Sequence, residues 1–212
     1  MKNEINRIAD RLVKAFNTNT VINPIPVKYC KNINLANKLR KLCEDQIKDE
    51  TIGIKAGGTG IQALKKLKEK EPFTAKVFKK RLVKSGQKVK INQHTKGIEV
   101  EVYYFIKKSF FDFKGKVTKS NVTKFIKFMG PCFEIVGFRQ RNKKFTYLGD
   151  ICGDFGFNIK FVVGRKTKFK KLNLNKDFYV FTGSTVGVVP FKGKGIYKGT
   201  VDKIGSVSVN IR

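Results

Sequence analysis

The sequence is poor in histidine and cysteine, and it lacks any long apolar run. Its single histidine, His94, falls in a polar stretch that predicts a surface turn, which argues against Ser-His or Cys-His nucleophilic chemistry. The four cysteines are widely spaced and form no CxxC pair, which argues against a zinc site or a disulfide framework and favours a reducing cytoplasm. Because no apolar run reaches membrane-spanning length and the opening residues are amphipathic, we expect neither a transmembrane helix nor a signal peptide.

Acidic residues are also scarce. The chain contains 16 Asp and Glu against 46 Lys and Arg, which gives a formal net charge of +30. Such a charge is typical of nucleic-acid binding when the basic residues cluster among stacking aromatics. Here the lysines are spread through nearly every segment, which indicates a general compositional bias. We therefore keep nucleic-acid binding only as a third and disfavoured interpretation, and the lack of a long apolar run leads us to expect no membrane partner.

The first part of the chain carries helical patterns, and residues 1–50 are expected to form a helical N-terminal lobe. An apolar stripe from Ile5 to Phe16 predicts the first helix. The prolines in the segment from Asn23 to Pro26 then predict an extended passage. Asn34 is predicted to cap a second helix. The apolar face of that helix consists of Leu35, Leu39, Leu42 and Cys43.

From residue 51 the pattern changes, and residues 51–212 are expected to form a β-rich domain that packs with the lobe as one compact unit. The stretch from Thr51 to Gly60 predicts a strand that runs into a glycine-rich turn. The spacing of Ile61, Leu64 and Leu67 predicts a helix after that turn. A further helical patch is expected between Val122 and Met129.

Two acids interrupt an alternating apolar run from Gly97 to Phe105. Strand alternation places Glu99 and Glu101 on one face, with the apolar residues between them packed behind. Like charges so close destabilise a strand unless a cation or several donors lie between them. One interpretation is a solvated strand face. The isolated acid Glu134 in a later apolar strand favours the other, a carboxylate site for a hard divalent cation.

Several short motifs follow one another along the chain in a specific order. They are Gly53, Lys55 and Gly57; Glu99 and Glu101; Pro131 and Glu134; Asp150 and Asp154; Thr182, Gly183 and Ser184; and Gly205 to Val209. In this order they resemble the motifs of the 2-keto-4-pentenoate hydratase family, within the fumarylacetoacetate hydrolase superfamily. The resemblance covers almost the whole chain and includes the proline turn after the first helix.

The resemblance implies an α+β fold, in which a helical N-terminal lobe precedes a mixed, curled β-roll of the fumarylacetoacetate hydrolase C-terminal-like type. It also implies roles for individual residues. Mg²⁺ or Mn²⁺ would be held by Glu99, Glu101 and Glu134, and Lys55 and Asp154 would be catalytic. Substrate would be contacted by Gly57, Thr182, Gly183 and Ser184. Asp150 would assist Asp154 in orienting groups around the site. A role as a simple turn or cap residue is the alternative for Asp150.

The implied activity is that of a metal-dependent hydratase, a homo-oligomer that adds water to a 2-oxo acid resembling 2-hydroxypenta-2,4-dienoate. One alternative is decarboxylation of an oxalocrotonate-like diacid by the same enolate chemistry. Another is a catalytically degraded homologue that keeps the fold as a binding or structural subunit. Carbon–carbon bond hydrolysis is disfavoured because it usually recruits a histidine-acid pair.

Three features depart from the family pattern. An acid that hydratases carry in the segment around Lys79 and Lys80 is absent. Phe155 and Phe157 replace small polar residues and are expected to narrow the substrate pocket. The segment between Gly164 and Phe181 is shorter than in the family, which implies that a layer of packing is lost or comes from a neighbouring subunit.

Overall fold

Helices occupy mainly the first part of the chain, and strands the remainder. The structure is a computed structural model and describes residues 2–92, 94–118, 120–168, 178–184 and 187–212. The helices are α1 (Lys2–Thr18), α2 (Lys28–Lys31), α3 (Ile33–Asp45), α4 (Ile61–Leu67) and α5 (Leu148–Cys152). The strands are β1 (Thr51–Gly57), β2 (Phe73–Phe78), β3 (Leu82–Lys84), β4 (Lys88–Val89), β5 (Thr95–Ile106), β6 (Ile126–Gly137), β7 (Asn158–Val163), β8 (Thr167–Lys168), β9 (Phe178–Phe181), β10 (Val189–Pro190), β11 (Gly195–Val201) and β12 (Gly205–Ile211).

The N-terminal helices bury one apolar face against each other and against the sheet. The buried side chains of α1 are those of the predicted stripe, from Ile5 to Phe16, and they pack on Leu39 and Cys43 of α3. Phe78 and Phe155, from the β-rich part, complete the same cluster, so the lobe is anchored directly to the sheet. Among the described residues, no helix is both long and apolar enough to cross a membrane. A domain boundary at residue 50 stays a prediction.

The cap of α3 is Asn32, so the predicted cap at Asn34 is wrong. The Asn32 side-chain oxygen accepts hydrogen bonds from the backbone amides of Asn34 and Leu35, at 3.0 and 3.1 Å. Asn32 has the extended backbone of a cap residue, with φ −104° and ψ 111°, which lets its side chain face the free amides of the first turn. The two asparagines lie two residues apart, and only the backbone conformation distinguishes them.

A mixed sheet forms most of the β-rich part, in the order β2-β1-β9-β5-β6-β7-β3, with β10 paired to β5 and β8 to β6. The predicted helical patch after Val122 is wrong beyond its first turn. Residues Val122–Phe125 form one 3₁₀ turn, and β6 begins at Ile126. Apolar spacing fits both structures there, and pairing with β5, for instance Met129 with Tyr104, favours the strand.

The large sheet is curled, with a different environment on each face. A smaller sheet of order β11-β12-β4 packs on the outer face of β5, β6 and β7. That interface contains Val89, Ile98, Phe133, Ile135, Val162, Val207, Val209 and Ile211. The inner face carries Cys132, Phe161 and Phe181, and the three predicted glutamates alternate with the outward apolar residues of β5 and β6.

We expect the two asparagines to differ sharply in their effect on stability. Asn32→Ala removes the cap of α3 and should lower the free energy of unfolding by about 1 kcal/mol. Asn34→Ala is the matched control and should change it by no more than a few tenths of a kcal/mol. Urea unfolding followed by circular dichroism measures both. Equal losses in the two variants would contradict the assignment of the cap to Asn32.

Candidate metal centre

Three carboxylates meet on the inner face of the sheet. Glu99 of β5 lies directly opposite Glu134 of β6, and Glu101 follows two residues along the same face. One carboxylate oxygen from each of the three lies within 4.8 Å of the others. Glu101 and Glu134 are fully buried, and Glu99 is half-buried. The interpretation of Glu99 and Glu101 as a solvated strand face is therefore wrong, and the three predicted glutamates do converge.

Lys55 reaches this cluster from β1. Its ammonium group lies 2.8 Å from both carboxylate oxygens of Glu134 and donates to the carbonyl of Gly156 at 2.9 Å. In the sheet, β9 and β5 separate β1 from β6. Three strand spacings span roughly 14 Å in a flat sheet, further than a lysine side chain extends. The curl of the sheet is therefore what brings Lys55 to the glutamates.

Glu101 is the least satisfied member of the cluster. Both of its carboxylate oxygens are buried, and among the described residues neither has a hydrogen-bond partner of good geometry. Burial raises the pKa of Glu101 well above its usual range, and the neighbouring Glu134 raises it further. Lys55 and the backbone amide of Gly183 oppose this rise only in part. A buried carboxylate without a partner is costly, so the site favours either a proton or a cation there.

Glu134 and Lys55 form a buried ion pair inside the same charge cluster. Burial raises the pKa of Glu134 to about 7, although Lys55 opposes the rise. For Lys55, burial acts to lower the pKa, but the charges of Glu134 and Glu101 outweigh it and raise the pKa. Burial also raises the pKa of Glu99. One ammonium group therefore serves three carboxylates, which leaves the cluster deficient in positive charge.

A left-handed turn presents the carbonyl that holds Lys55. Phe155, Gly156 and Phe157 all have positive φ, at 52°, 70° and 72°, a conformation that is costly for phenylalanine. Gly156 has no room for a side chain, because a Cβ there would lie 2.7 Å from the Cβ of Ala75. The turn thus requires glycine at its centre and support on both sides.

Asp154 supplies that support. Its carboxylate accepts hydrogen bonds from the backbone amide of Arg139 at 2.8 Å and from the side chain of Gln140 at 3.1 Å, and it pairs with the Arg139 guanidinium at 3.2 Å. Arg139 in turn donates to the carbonyl of Asn158 at 2.6 Å. Asp154 and Arg139 therefore fix both ends of the left-handed turn. Asp154 lies outside the three-glutamate cluster and acts on Lys55 through this backbone.

Two turns meet beside the cluster, because β1 and β9 are parallel neighbours and both end at the same edge. Gly183, with φ +89°, lies against Thr59 of the glycine-rich turn, where a Cβ would approach the Thr59 hydroxyl to 2.5 Å. Of the other predicted substrate contacts, Thr182 donates to the carbonyl of Val102 at 3.1 Å, and Ser184 donates to that of Gly187 at 3.1 Å. The hydroxyls of Thr182 and Ser184 therefore bind backbone carbonyls of the protein, whereas the backbone amide of Gly183 faces Glu101.

Phe73 is a site residue that the sequence analysis missed. Its ring lies 6.0 Å from the Lys55 ammonium group and covers Gly57, where a Cβ would come within 2.3 Å of the ring. Gly57 was predicted to contact substrate, but its open side faces Phe73. The antiparallel pairing of β1 with β2 sets Gly57 opposite Phe73, and sequence alone does not give that register. Phe73 therefore closes the site on the Lys55 side.

The expectation that Phe155 and Phe157 narrow the pocket is wrong. Phe155 packs on Phe16 of the helical lobe, with ring centroids 4.4 Å apart, and Phe157 packs on Phe138 at 4.6 Å. Phe155 belongs to the buried apolar cluster of the helical lobe. Residues 169–177, in the segment predicted to be shortened, lie outside the described part of the chain.

Asp150 is a turn and cap residue, which was the alternative interpretation of this acid. One carboxylate oxygen accepts hydrogen bonds from the backbone amides of Thr146 and Tyr147, at 2.8 and 2.7 Å, at the start of α5. The other pairs with Lys143 at 2.7 Å. These contacts account for Asp150 without any part in the cluster. Lys79 lies in the segment from which an acid expected by the resemblance is absent. It pairs with Glu50 at 2.7 Å on the surface.

The donor set fits a hard divalent cation. Carboxylate oxygens are the preferred ligands of Mg²⁺ and Mn²⁺. The oxygens of Glu101 are buried and have no hydrogen-bond partner of good geometry among the described residues, as expected for ligands that a cation would satisfy. Glu99, Glu101 and Glu134 are therefore the residues that could hold such an ion.

Known structures share this architecture. No protein-family model matches the sequence, and no curated protein matches it. The 4-oxalocrotonate decarboxylase from Pseudomonas putida G7, complexed with magnesium and adipate, aligns with a TM-score of 0.82 and 15% identity, over 100% of this chain and 98% of that chain. The chain shares its fold. This agreement confirms the predicted α+β architecture with a curled mixed sheet.

Two further structures illustrate the range of the similarity. The same decarboxylase, complexed with calcium and acetate, gives a TM-score of 0.81 at 13% identity, over 100% of this chain and 98% of that chain. Fumarylpyruvate hydrolase from Pseudomonas aeruginosa, in complex with Mn²⁺ and pyruvate, gives 0.53 at 12% identity, over 74% of this chain and 88% of that chain. At these identities the similarity concerns the fold.

The raised pKa values of Glu101 and Glu134 predict that the stability of the metal-free protein falls with rising pH. A carboxyl whose pKa is higher in the folded state stabilises the fold while protonated, and for Glu134 this contribution disappears between the reference value of 4.5 and about 7. Because a divalent ion replaces these protons, Mn²⁺ should raise the Tm more at about pH 8 than at about pH 5.5.

Thermal unfolding with EDTA or Mn²⁺ measures this effect, and Glu101→Gln tests its origin. In EDTA at about pH 8 this variant should be more stable than the wild type, because it lacks one buried charge, and it should gain less from Mn²⁺. Glu50→Gln, the same change at an exposed position, should behave as the wild type. A Tm increase that is equal at both pH values and in all three proteins would refute the assignment.

Removal of Lys55 should expose the charge deficit directly. Lys55→Met leaves Glu134 buried without its cation and should lower the free energy of unfolding of the metal-free protein by roughly 3–5 kcal/mol. Lys55→Met combined with Glu134→Gln should recover a substantial part of the loss, since both charges of the pair are gone. Urea unfolding in EDTA gives the free energy of unfolding of Lys55→Met, Glu134→Gln and the double variant. A loss in the double variant equal to the sum of the two single losses would argue against an energetic coupling between Lys55 and Glu134.

Proposed function

We propose that this protein is a divalent-metal-dependent enzyme of the fumarylacetoacetate hydrolase superfamily that acts on an unsaturated 2-oxo acid, as a cytoplasmic homo-oligomer. The observation that carries the proposal is the cluster of Glu99, Glu101 and Glu134, with which Lys55 is the one cation paired in the described part of the chain. The proteins named above with the same fold were solved with magnesium, calcium or Mn²⁺, and with carboxylic acids.

The reaction we propose is that of a hydratase (hydro-lyase), the addition of water to a 2-hydroxypenta-2,4-dienoate-like substrate. A bound Mg²⁺ or Mn²⁺ would act as a Lewis acid for the carboxylate and keto oxygens of the 2-oxo acid. Glu99, Glu101 and Glu134 hold the negative charge that attracts such an ion. Lys55, fixed by Glu134 and the Gly156 carbonyl, places a protonated amine beside that position and can hold or donate a proton there.

The surrounding residues shape the site for a small planar acid. Gly183 approaches Glu101 without a side chain, so its backbone amide is available at the edge of the cluster. Phe73 excludes water from the Lys55 side, which strengthens the electrostatic interactions of the ammonium group. Asp154, which the resemblance implies is catalytic, would act here as a positioning residue, since its contacts orient the backbone that binds Lys55.

Decarboxylation of an oxalocrotonate-like diacid is the second candidate. The structural similarity to 4-oxalocrotonate decarboxylase over 100% of this chain favours it. Both reactions would use the Lewis-acid chemistry of a cation held by Glu99, Glu101 and Glu134, and they differ in whether the distal end of the substrate gains water or loses carbon dioxide. The cluster itself is compatible with either reaction.

Turnover assays with both substrates test the proposal. We expect Mg²⁺- or Mn²⁺-dependent loss of the dienol absorbance with 2-hydroxypenta-2,4-dienoate, or release of carbon dioxide from oxalocrotonate. Glu101→Gln should lower kcat/KM by roughly 100-fold or more, since it removes a ligand. Glu50→Gln should leave kcat/KM unchanged.

The absence of metal-dependent turnover on either substrate would contradict an enzymatic role. In that case Mn²⁺ binding by the wild type, lost in Glu101→Gln, would instead support a homologue that keeps the fold and the metal as a binding subunit.

A further inference from the structure

A cavity lies apart from the glutamates, and four of its nine lining residues are basic. It has a volume of about 560 Å³ and lies between the end of α1, the segment after α3 and the start of β7. Its charged lining residues are Lys48, Asp49, Lys80, Arg81 and Lys160. On β7, Lys160 precedes Phe161, which pairs with Glu134, so the Lys160 side chain leaves the opposite face of the sheet. The cavity is therefore separate from the candidate metal centre.

Arg81 is the central cation of this cavity. Its guanidinium stacks on the Phe16 ring at 3.8 Å and donates to the Phe16 carbonyl, which fixes its position. Arg139 lies against the same ring, at 4.8 Å, and has Asp154 as its carboxylate partner. Among the described residues, no carboxylate forms a salt bridge with Arg81. Burial, followed by the charge of Arg139, lowers the pKa of Arg81 to about 9, and the charge of Asp49 opposes this only in part.

Lys160 and Asp49 complete the charge balance of the cavity. The Lys160 ammonium donates to the backbone carbonyl of Lys80 at 2.8 Å, and no carboxylate within the described ranges pairs with it. Asp49, the one acid of the lining, already accepts hydrogen bonds from the backbone amides of Glu50 and Lys80, at 2.9 and 3.0 Å. Both carboxylate oxygens of Asp49 therefore already accept backbone hydrogen bonds. The cavity has four basic lining residues and one acidic one, so its net charge is positive.

We propose that this cavity binds a small dianion, held between the guanidinium of Arg81 and the ammonium of Lys160. A phosphate group and a dicarboxylate share the required chemistry, since both offer several oxygens to a planar guanidinium and a point charge. The volume falls in the range of small-molecule sites, roughly 300–1,000 Å³, and leaves room for an organic part of a ligand. A dianion would supply the counter-ion that Arg81 lacks and reduce its repulsion with Arg139.

Isothermal titration calorimetry with sodium phosphate and with sodium succinate tests the site and distinguishes the two ligand classes. Metal ions are removed beforehand with EDTA, which is then dialysed away because it is a polycarboxylate that could itself occupy the cavity. Neither anion can then be recruited through the glutamates, and sodium chloride holds the ionic strength constant. We expect saturable binding of one anion per chain, and a Tm that rises to a plateau over the same concentrations. Tighter binding of phosphate identifies a phosphorylated ligand, and tighter binding of succinate identifies a dicarboxylate.

Four variants locate the binding. Arg81→Gln and Lys160→Met should each weaken it by about tenfold or more. Lys198→Met removes the same charge from an exposed strand position outside the cavity and should bind as the wild type. Glu101→Gln should also bind as the wild type, which separates this site from the metal centre. Lys160→Met keeps the Arg81 stacking, so it carries the test even if Arg81→Gln does not fold.

Two results would overturn the proposal. One is a Tm that rises without a plateau and equally in all variants, as a general salt effect does. The other is calorimetric binding that Lys160→Met and Lys198→Met weaken to the same extent, which would reduce the cavity to one part of a diffuse basic surface.

Discussion

The buried imbalance between three carboxylates and one ammonium group is the constraint on which the rest of the site depends. Among the described residues, Lys55 is the one cation that forms an ion pair with the cluster of Glu99, Glu101 and Glu134 on the inner face of the sheet. When all are ionised, two negative charges remain unbalanced, the charge that one divalent cation neutralises. An uncompensated buried charge costs several kcal/mol, so a protein that retains this arrangement needs protons or a metal ion to offset it.

The helical lobe contributes to this site through packing. Phe16 of α1 contacts both Phe155 and the guanidinium of Arg139, and Arg139 holds Asp154. These contacts fix the left-handed turn whose Gly156 carbonyl binds Lys55. Positive φ at two phenylalanines is unfavourable by itself and persists because the lobe buries both the ring of Phe155 and the ion pair. The lobe therefore stabilises a strained backbone that the metal centre uses.

Local pattern and family resemblance predicted much of the site, and tertiary geometry determined the rest. Strand alternation was enough to set Glu99 and Glu101 on one face, and the ordered motifs singled out Lys55 and Asp154. Phe73 was missed because its contact with Lys55 depends on the β1–β2 register, for which the sequence has no local signal. The rings of Phe155 and Phe157 were expected in the pocket because their positive φ angles cannot be read from the residue type.

Lysine is abundant in this chain, so geometry, and not composition, determines how many cations reach the three glutamates of the candidate metal centre. A chain with 46 basic residues has many cations that could neutralise three glutamates, yet within the described residues Lys55 alone forms an ion pair with them. A lysine can reach the inner face only from a strand position that points inward and lies close enough across the curl. On the described parts of the strands that form the site, other inward positions carry apolar residues such as Phe73, Ala75 and Phe161. The remaining charge therefore favours a small cation that enters from solution.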